Sequence, residues 1–135
     1  HLVIVAAQFG LSTPSVFNQL DAGRASGLYP ASGELVEPAE LLSVLSSYDG
    51  SEAALASLAP LLRNDLQAPA LSCAPQLEQT LNLRDSEGVY ASLVSGSGPT
   101  VLLLASSQDQ ADSLASSLRA TGNHAVSAVT VILYH

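Results

Sequence analysis

The chain has very few cationic residues and no lysine at all. Its 135 residues include four arginines against twelve acidic residues, which gives a formal net charge of -8. A protein that follows a nucleic-acid backbone or an anionic membrane surface needs a basic patch. The composition therefore argues against nucleic acid and membrane as partners. Without lysine, the chain also cannot contain a phosphate-binding loop of the Gly-x-x-x-x-Gly-Lys type.

Cysteine and histidine are equally scarce, which limits metal binding and covalent catalysis. Cys73 is the single cysteine, so an intrachain disulfide and a cysteine-based metal cluster are excluded, and a reducing, cytoplasmic location fits. The histidines are His1, His124 and His135, and none has the spacing of a paired metal ligand. We therefore predict no metal site. No apolar run approaches the length of a membrane span.

Apolar and small residues make up much of the chain instead. Hydrophobic residues account for 47% and charged residues for only 12%, which is apolar for a soluble monomer. The length fits one domain, residues 1–135, that can bury a core. We expect part of the apolar surface to pack against a further domain. His1 leads almost directly into an apolar run, which indicates a cut N-terminus.

Local patterns in the first part of the chain predict a strand, a helix and a loop. The apolar, β-branched run Leu2–Ala7 predicts a buried strand. Thr13 is suited to cap a helix with Pro14 at its first position, and this helix is expected to reach about Gly23. Residues 24–37 lack periodicity and predict a loop.

The middle of the chain predicts short helices. Pro38 is expected to start one helix and Ser51 to cap another, whereas Pro75 should divide the helical stretch 69–83 into two pieces. The apolar positions predicted to face the core are Leu41, Leu42, Leu45, Leu55, Leu58, Leu61 and Leu62.

The last part of the chain predicts the rest of a sheet. Val89–Val94 and Thr100–Ala105 should form an antiparallel pair. Ser107 and Gln110 have the spacing of a capping box at the start of a helix, and residues 125–133 predict a final strand. The predicted fold class is α+β, with helices packed on one face of an antiparallel sheet.

The hexapeptide Ser95–Thr100 joins the paired strands, and we call it the glycine loop. Gly96 and Gly98 can adopt positive φ and carry no Cβ, so successive backbone N–H groups can converge on an anionic oxygen. The same residues also make tight turns between strands. Residue type alone therefore leaves an anion site and a simple turn as alternatives.

The glycine loop resembles the third motif of the GHMP kinases, and two further segments share this resemblance. Gly10–Phe17 follows the first strand, and Arg63–Leu66 precedes the glycine loop along the chain. Their order and spacing are similar to the branch of the family that phosphorylates 4-diphosphocytidyl-2-C-methyl-D-erythritol in the non-mevalonate isoprenoid pathway. The resemblance runs the length of the chain and implies the ferredoxin-like C-terminal domain of such a kinase.

For the segment after the first strand, the resemblance implies a substrate-binding role. Thr13, Pro14 and Phe17 would hold the cytosine of the substrate, with the proline and the aromatic ring packed on the base. The residues alone favour ordinary helix capping, with Phe17 in the core.

For the glycine loop, the resemblance implies that Gly96, Ser97 and Gly98 lie beside the ATP phosphate loop and the transferred phosphoryl group. For Asn64 and Asp65 we expect a structural role, as caps of the helix that follows, rather than a catalytic one.

The resemblance also implies what the chain does not supply. The family uses ATP and Mg²⁺, and it places the phosphate loop and the catalytic groups in an N-terminal domain. We therefore predict no catalytic residue here, no activity of the chain alone, no cofactor bound to it, and its own N-terminal domain as a partner. Two alternatives remain open: a homoserine or mevalonate type of GHMP kinase, and a freestanding ferredoxin-like ligand-sensing domain that forms a homodimer.

Overall fold

Four strands and six α-helices make up the part of the chain that the computed structural model describes, which is residues 1–30 and 38–120 and the backbone of 124–129. In chain order they are β1 (Leu2–Ala7), α1 (Thr13–Ala25), α2 (Pro38–Ser46), α3 (Glu52–Leu58), α4 (Gln67–Cys73), α5 (Leu77–Leu81), β2 (Val89–Val94), β3 (Val101–Ala105), α6 (Gln108–Ala120) and β4 (His124–Val129). Short 3₁₀ helices, Ala59–Leu61 and Asn82–Asp85, follow α3 and α5.

The four strands form one antiparallel sheet in the order β2-β3-β1-β4. This is the strand order of a ferredoxin-like fold, in which each of two split βαβ units contributes a central and an edge strand. The predicted fold class and the predicted pairing of β2 with β3 are both confirmed. Residues 130–133 of the predicted final strand lie outside the described residues.

The core lies between one face of the sheet and the helices. Val3 pairs with Leu103 and Val5 with Val101, and all four side chains are at most 1% exposed. Because side chains alternate between the faces of a strand, these residues share the inner face. The helices cover it with Val16, Leu77, Ala111 and Ala115. Each fully buried valine or leucine stabilises the fold by about 1.5–3 kcal/mol.

In α2 and α3, the predicted helix cap is present, but one leucine that was predicted to face the core is exposed. The hydroxyl of Ser51 accepts a hydrogen bond from the N–H of Ala54 at 3.2 Å, so the predicted cap is confirmed. Leu55 and Leu58 are buried as predicted, but Leu42 is 58% exposed. The prediction for Leu42 was wrong because α2 packs mainly against α3 and buries no residue fully.

The two predicted helix boundaries at Pro75 and Ser107 are also present. The helical stretch is interrupted between α4 and α5, and Pro75 lies in the segment that separates the two helices. The hydroxyl of Ser107 accepts from the N–H of Gln110 at 3.1 Å. The other half of the predicted capping box is not formed among the described residues, where the side-chain nitrogen of Gln110 donates to the carbonyl of Glu87.

The register of the sheet decides which loops are neighbours. β1 runs antiparallel to β3, and the pairing of Val5 with Val101 joins the end of β1 to the start of β3. The connection from β1 to α1 and the glycine loop before β3 therefore lie at the same end of the sheet. Segments that are far apart in sequence meet there.

Candidate functional site

The glycine loop is closed by its own backbone. The N–H of Ser95 donates to the carbonyl of Thr100 at 2.8 Å, and the N–H of Gly98 donates to the carbonyl of Ser95 at 2.9 Å. Gly96 has a φ of 57° and Gly98 a φ of 81°. L-residues with a side chain rarely adopt these values, so the turn geometry explains both glycines.

Gly98 is needed for packing as well as for its backbone angle. A Cβ at this position would lie 3.1 Å from Cγ1 of Val94 and 3.3 Å from Cδ2 of Leu11. At Gly96 no heavy atom would lie within 4 Å of such a Cβ. The loop thus rests against the core at Gly98 and is open at Gly96.

Two backbone donors of the open part have no partner within the described residues. The N–H groups of Gly96 and Ser97 donate no hydrogen bond there. Uncompensated, closely spaced backbone N–H groups are the kind of donor that binds anionic oxygens. The local geometry therefore allows both alternatives left open by the sequence, a turn and an anion-binding loop, at once.

The start of α1 differs by one residue from the prediction. Ser12 is the N-cap, with an extended φ of -74° and ψ of 113°, and its hydroxyl accepts from the N–H of Ser15 at 3.4 Å. Thr13 and Pro14 are therefore the first two helical residues. Thr13 was predicted as the cap, but the extended conformation that a cap needs occurs one residue earlier.

The side chain of Thr13 is consequently available for another contact. Its Oγ1 lies 2.8 Å from Oγ of Ser97, and either hydroxyl can donate. This hydrogen bond joins the two segments for which the family resemblance implies substrate and phosphate roles. The sequence did not predict that they touch directly.

Phe17 lies on the surface one helical turn after Thr13. Its side chain is 47% exposed, whereas its neighbour Val16 is fully buried. The interpretation that places Phe17 in the core is therefore wrong. Because residues four apart share a helix face, Thr13 and Phe17 present a hydroxyl and an aromatic ring on the same side of α1.

Asn64 reaches the glycine loop from the segment before α4. Its Nδ2 donates to the carbonyl of Val94 at 2.7 Å and to the carbonyl of Gly96 at 2.8 Å. The helix cap of α4 is Leu66, which makes no side-chain capping bond. The predicted capping by Asn64 is therefore limited to one local bond, in which its Oδ1 accepts from the N–H of Leu66 at 3.0 Å.

Asp65 also has a different contact from the predicted cap. Its carboxylate lies 3.6 Å from the guanidinium of Arg24 at the end of α1. The two side chains are 49% and 25% exposed, so this ion pair stabilises the fold only weakly. It links the end of α1 to the segment just before α4.

The site offers hydrogen-bond donors and an exposed ring rather than charge. The chain has no lysine, and Arg24 is engaged by Asp65. In the described ranges, no group of three or more His, Cys, Asp or Glu side chains could hold a metal ion. The same residues include no helix long and apolar enough to cross a lipid bilayer.

The chain is similar to a protein-family model and to curated proteins. The family model "GHMP kinases C terminal" matches residues 39–124. A 4-diphosphocytidyl-2-C-methyl-D-erythritol kinase of Nocardia farcinica is 45% identical over 122 residues, which are 90% of this chain and 37% of that protein. The enzyme of the same name from Rhodococcus jostii is 43% identical over 122 residues, with the same shares.

A solved structure supports the fold. A crystal structure of 4-(cytidine 5'-diphospho)-2C-methyl-D-erythritol kinase superposes with a TM-score of 0.65 and 24% identity, over 93% of this chain and 41% of that one.

The chain spans little more than a third of the length of the two curated relatives. Because the family model covers well over half of its residues, the chain belongs to the family of GHMP kinase C-terminal domains.

Proposed function

We propose that the chain is the C-terminal, substrate-binding half of a kinase that transfers phosphate from ATP to the 2-hydroxyl of 4-diphosphocytidyl-2-C-methyl-D-erythritol. The observation that carries this proposal is the hydrogen bond between Thr13 and Ser97, which brings a candidate base-binding segment and a candidate phosphate-binding loop together. The names of the relatives from Nocardia farcinica and Rhodococcus jostii support the choice of substrate.

In this function, Thr13, Pro14 and Phe17 hold the cytosine. An exposed aromatic ring offers a face on which a flat base can stack, and a neighbouring hydroxyl offers one donor and two acceptor positions. The hydroxyl of Thr13 can keep its contact with Ser97 and still accept a further hydrogen bond from a ligand.

Gly96, Ser97 and Gly98 lie beside the phosphates in the same proposal. During phosphoryl transfer, negative charge spreads over the equatorial oxygens of the transferred group. The N–H groups of Gly96 and Ser97, which have no partner within the described residues, can stabilise that charge.

The remaining catalytic groups belong to a separate N-terminal domain of the parent protein. A chain without lysine cannot supply the lysine of a Gly-x-x-x-x-Gly-Lys phosphate loop. Its described residues also form no carboxylate cluster for a metal ion, so we assign ATP and Mg²⁺ binding largely to that domain. The chain alone is therefore expected to be inactive, and the parent enzyme to work in the cytoplasm.

The proposal is tested with the full-length protein that contains this chain. We expect it to transfer phosphate from ATP to the cytidine-linked methylerythritol, and not to homoserine or mevalonate. Faster transfer to either competitor would refute the substrate assignment. A chain that is complete without a further domain, forms a stable homodimer and catalyses no transfer would instead favour a ligand-sensing domain.

A further inference from the structure

The carboxamide of Asn64 makes three hydrogen bonds, and two of them reach the entrance of the glycine loop. Its nitrogen donates to the carbonyls of Val94 and Gly96 at 2.7 and 2.8 Å, and its oxygen accepts from the N–H of Leu66 at 3.0 Å. A primary amide has two N–H donors, so both are used. The nitrogen faces two oxygens and the oxygen faces an N–H group, which defines the orientation of the amide.

Asn64 works together with Gln67 at the edge of the sheet. β2 is an edge strand, and Val94 is its last residue before the loop. The N–H of Val94 donates to Oε1 of Gln67 at 3.0 Å, while its carbonyl accepts from Asn64. Two side-chain amides therefore pair both backbone groups of Val94 as a neighbouring strand would. The strand is fixed at the point where the glycine loop begins.

The bond from Asn64 to Gly96 orients a peptide group on the open side of the glycine loop. A Cβ at Gly96 would have no heavy atom within 4 Å, so no packed group holds Gly96 from that direction. The carbonyl of Gly96 and the N–H of Ser97 belong to one peptide group, and in a trans peptide they point in opposite directions. By holding that carbonyl, Asn64 turns the N–H of Ser97 away from itself. This N–H has no partner within the described residues.

We infer that Asn64 is a positioning residue for phosphoryl transfer, which holds the carbonyl of Gly96 so that the N–H of Ser97 faces the transferred phosphoryl group. The inference rests on the function proposed above. A donor fixed in advance toward developing charge stabilises the transition state more than the bound substrate. Loss of Asn64 should therefore lower kcat and leave the KM for the cytidine substrate nearly unchanged.

The test uses Asn64→Asp in the full-length protein. Aspartate keeps the shape of asparagine but places an acceptor oxygen opposite the carbonyls of Val94 and Gly96, where the structure needs a donor. Asn64→Ala removes the donors without adding charge, and it decides the question if the aspartate variant does not fold. Asn82 provides the matched control, because it is exposed and its side chain makes no hydrogen bond within the described residues. Asn82→Asp and Asn82→Ala repeat the same chemical changes there.

We expect each folded Asn64 variant to lose about 100-fold in kcat, with KM for the cytidine substrate within about threefold of the wild type. Amide hydrogen exchange in residues 94–100 should be faster than in the wild type. The Asn82 variants should match the wild type in kcat and in exchange. The inference is overturned if folded Asn64 variants keep the kcat of the Asn82 controls, or if the loss lies in KM alone.

A wild-type assay separates this inference from the proposed function. If the wild-type protein does not phosphorylate the cytidine substrate, the proposed function fails, and the catalytic part of the inference fails with it. Hydrogen exchange still tests whether Asn64 holds the glycine loop, because the amides of residues 94–100 should exchange faster in the Asn64 variants than in the wild type. If the wild type is active and only the Asn64 variants behave like the controls, the inference alone fails.

Discussion

The side-chain hydroxyls of Thr13 and Ser97 lie 2.8 Å apart, although 84 positions separate the two residues in the sequence. The contact is made possible by the antiparallel pairing of β1 with β3, which brings the start of α1 next to the glycine loop. It links a helix that presents an exposed phenylalanine to a loop whose N–H groups at Gly96 and Ser97 have no partner in the described part of the chain. In the proposed kinase, the contact fixes the distance between the cytosine of the substrate and the phosphoryl group transferred from ATP.

Removing either hydroxyl should weaken substrate binding, and removing both should do little more. Thr13→Val keeps the shape of the residue and leaves the cap at Ser12 intact, and Ser97→Ala removes the other partner. We expect each change to raise the KM for the cytidine substrate about 2- to 10-fold, as for the loss of one hydrogen bond. A double-mutant cycle on KM measures the coupling. Strictly additive effects would show that the hydroxyls act independently, and Thr13→Ser is the control that keeps the bond.

Phe17→Ala should reduce substrate affinity without unfolding the protein. Since the ring is 47% exposed, its loss should change the free energy of unfolding by no more than about 0.5 kcal/mol. If the ring stacks on cytosine, the same change should weaken binding by about 1–3 kcal/mol, measured by calorimetry with the cytidine substrate. Leu42→Ala is the matched control, because Leu42 is also large, apolar and exposed. Equal affinities of the two variants would exclude a stacking role.

Local chemistry made several features predictable from the sequence. The caps at Ser51 and Ser107 each depend on a hydrogen bond to the N–H three residues later, so the residue type and spacing were enough. The glycine loop was also predictable, since glycine at alternate positions between two apolar runs indicates a turn with positive φ. The break at Pro75 follows from its missing N–H group.

Long-range contacts account for what the sequence could not predict. The bonds from Asn64 and Gln67 to β2 span 30 and 27 positions, and such side-chain contacts leave no periodic pattern. An asparagine before a helix usually indicates a helix cap, so the sequence did not predict the hydrogen bonds from Asn64 to Val94 and Gly96. Leu42 shows a second limit, because leucine spacing defines an apolar helix face but does not reveal what covers it.

The two glycines of the loop should differ in their tolerance of alanine. At both positions, a positive φ costs an L-residue about 1–2 kcal/mol. Gly98→Ala should destabilise the protein further, because the new Cβ would lie 3.1 Å from the side chain of Val94, whereas Gly96→Ala would meet no heavy atom within 4 Å. Chemical denaturation should therefore rank Gly98→Ala below Gly96→Ala in stability. Gly10→Ala, which has open space and no positive φ, should be close to the wild type. Equal losses at positions 96 and 98 would show that packing at Gly98 is unimportant.

The start of α3 should weaken at low pH, because it depends on an ionised aspartate. Hydrogen bonds from the side chain and then from the backbone N–H of Ser51 lower the pKa of Asp49 below its ordinary value, and the backbone bond is 2.9 Å long. Since the folded state has the lower pKa, the carboxylate stabilises the fold above the unfolded-state pKa. That contribution is lost as the pH falls through the folded-state pKa. An NMR titration of the Asp49 carboxyl should give a pKa below that of an unfolded peptide. Ser51→Ala should raise the pKa of Asp49 toward its ordinary value, since the side-chain bond is its largest cause. An unchanged pKa in that variant would contradict this cause.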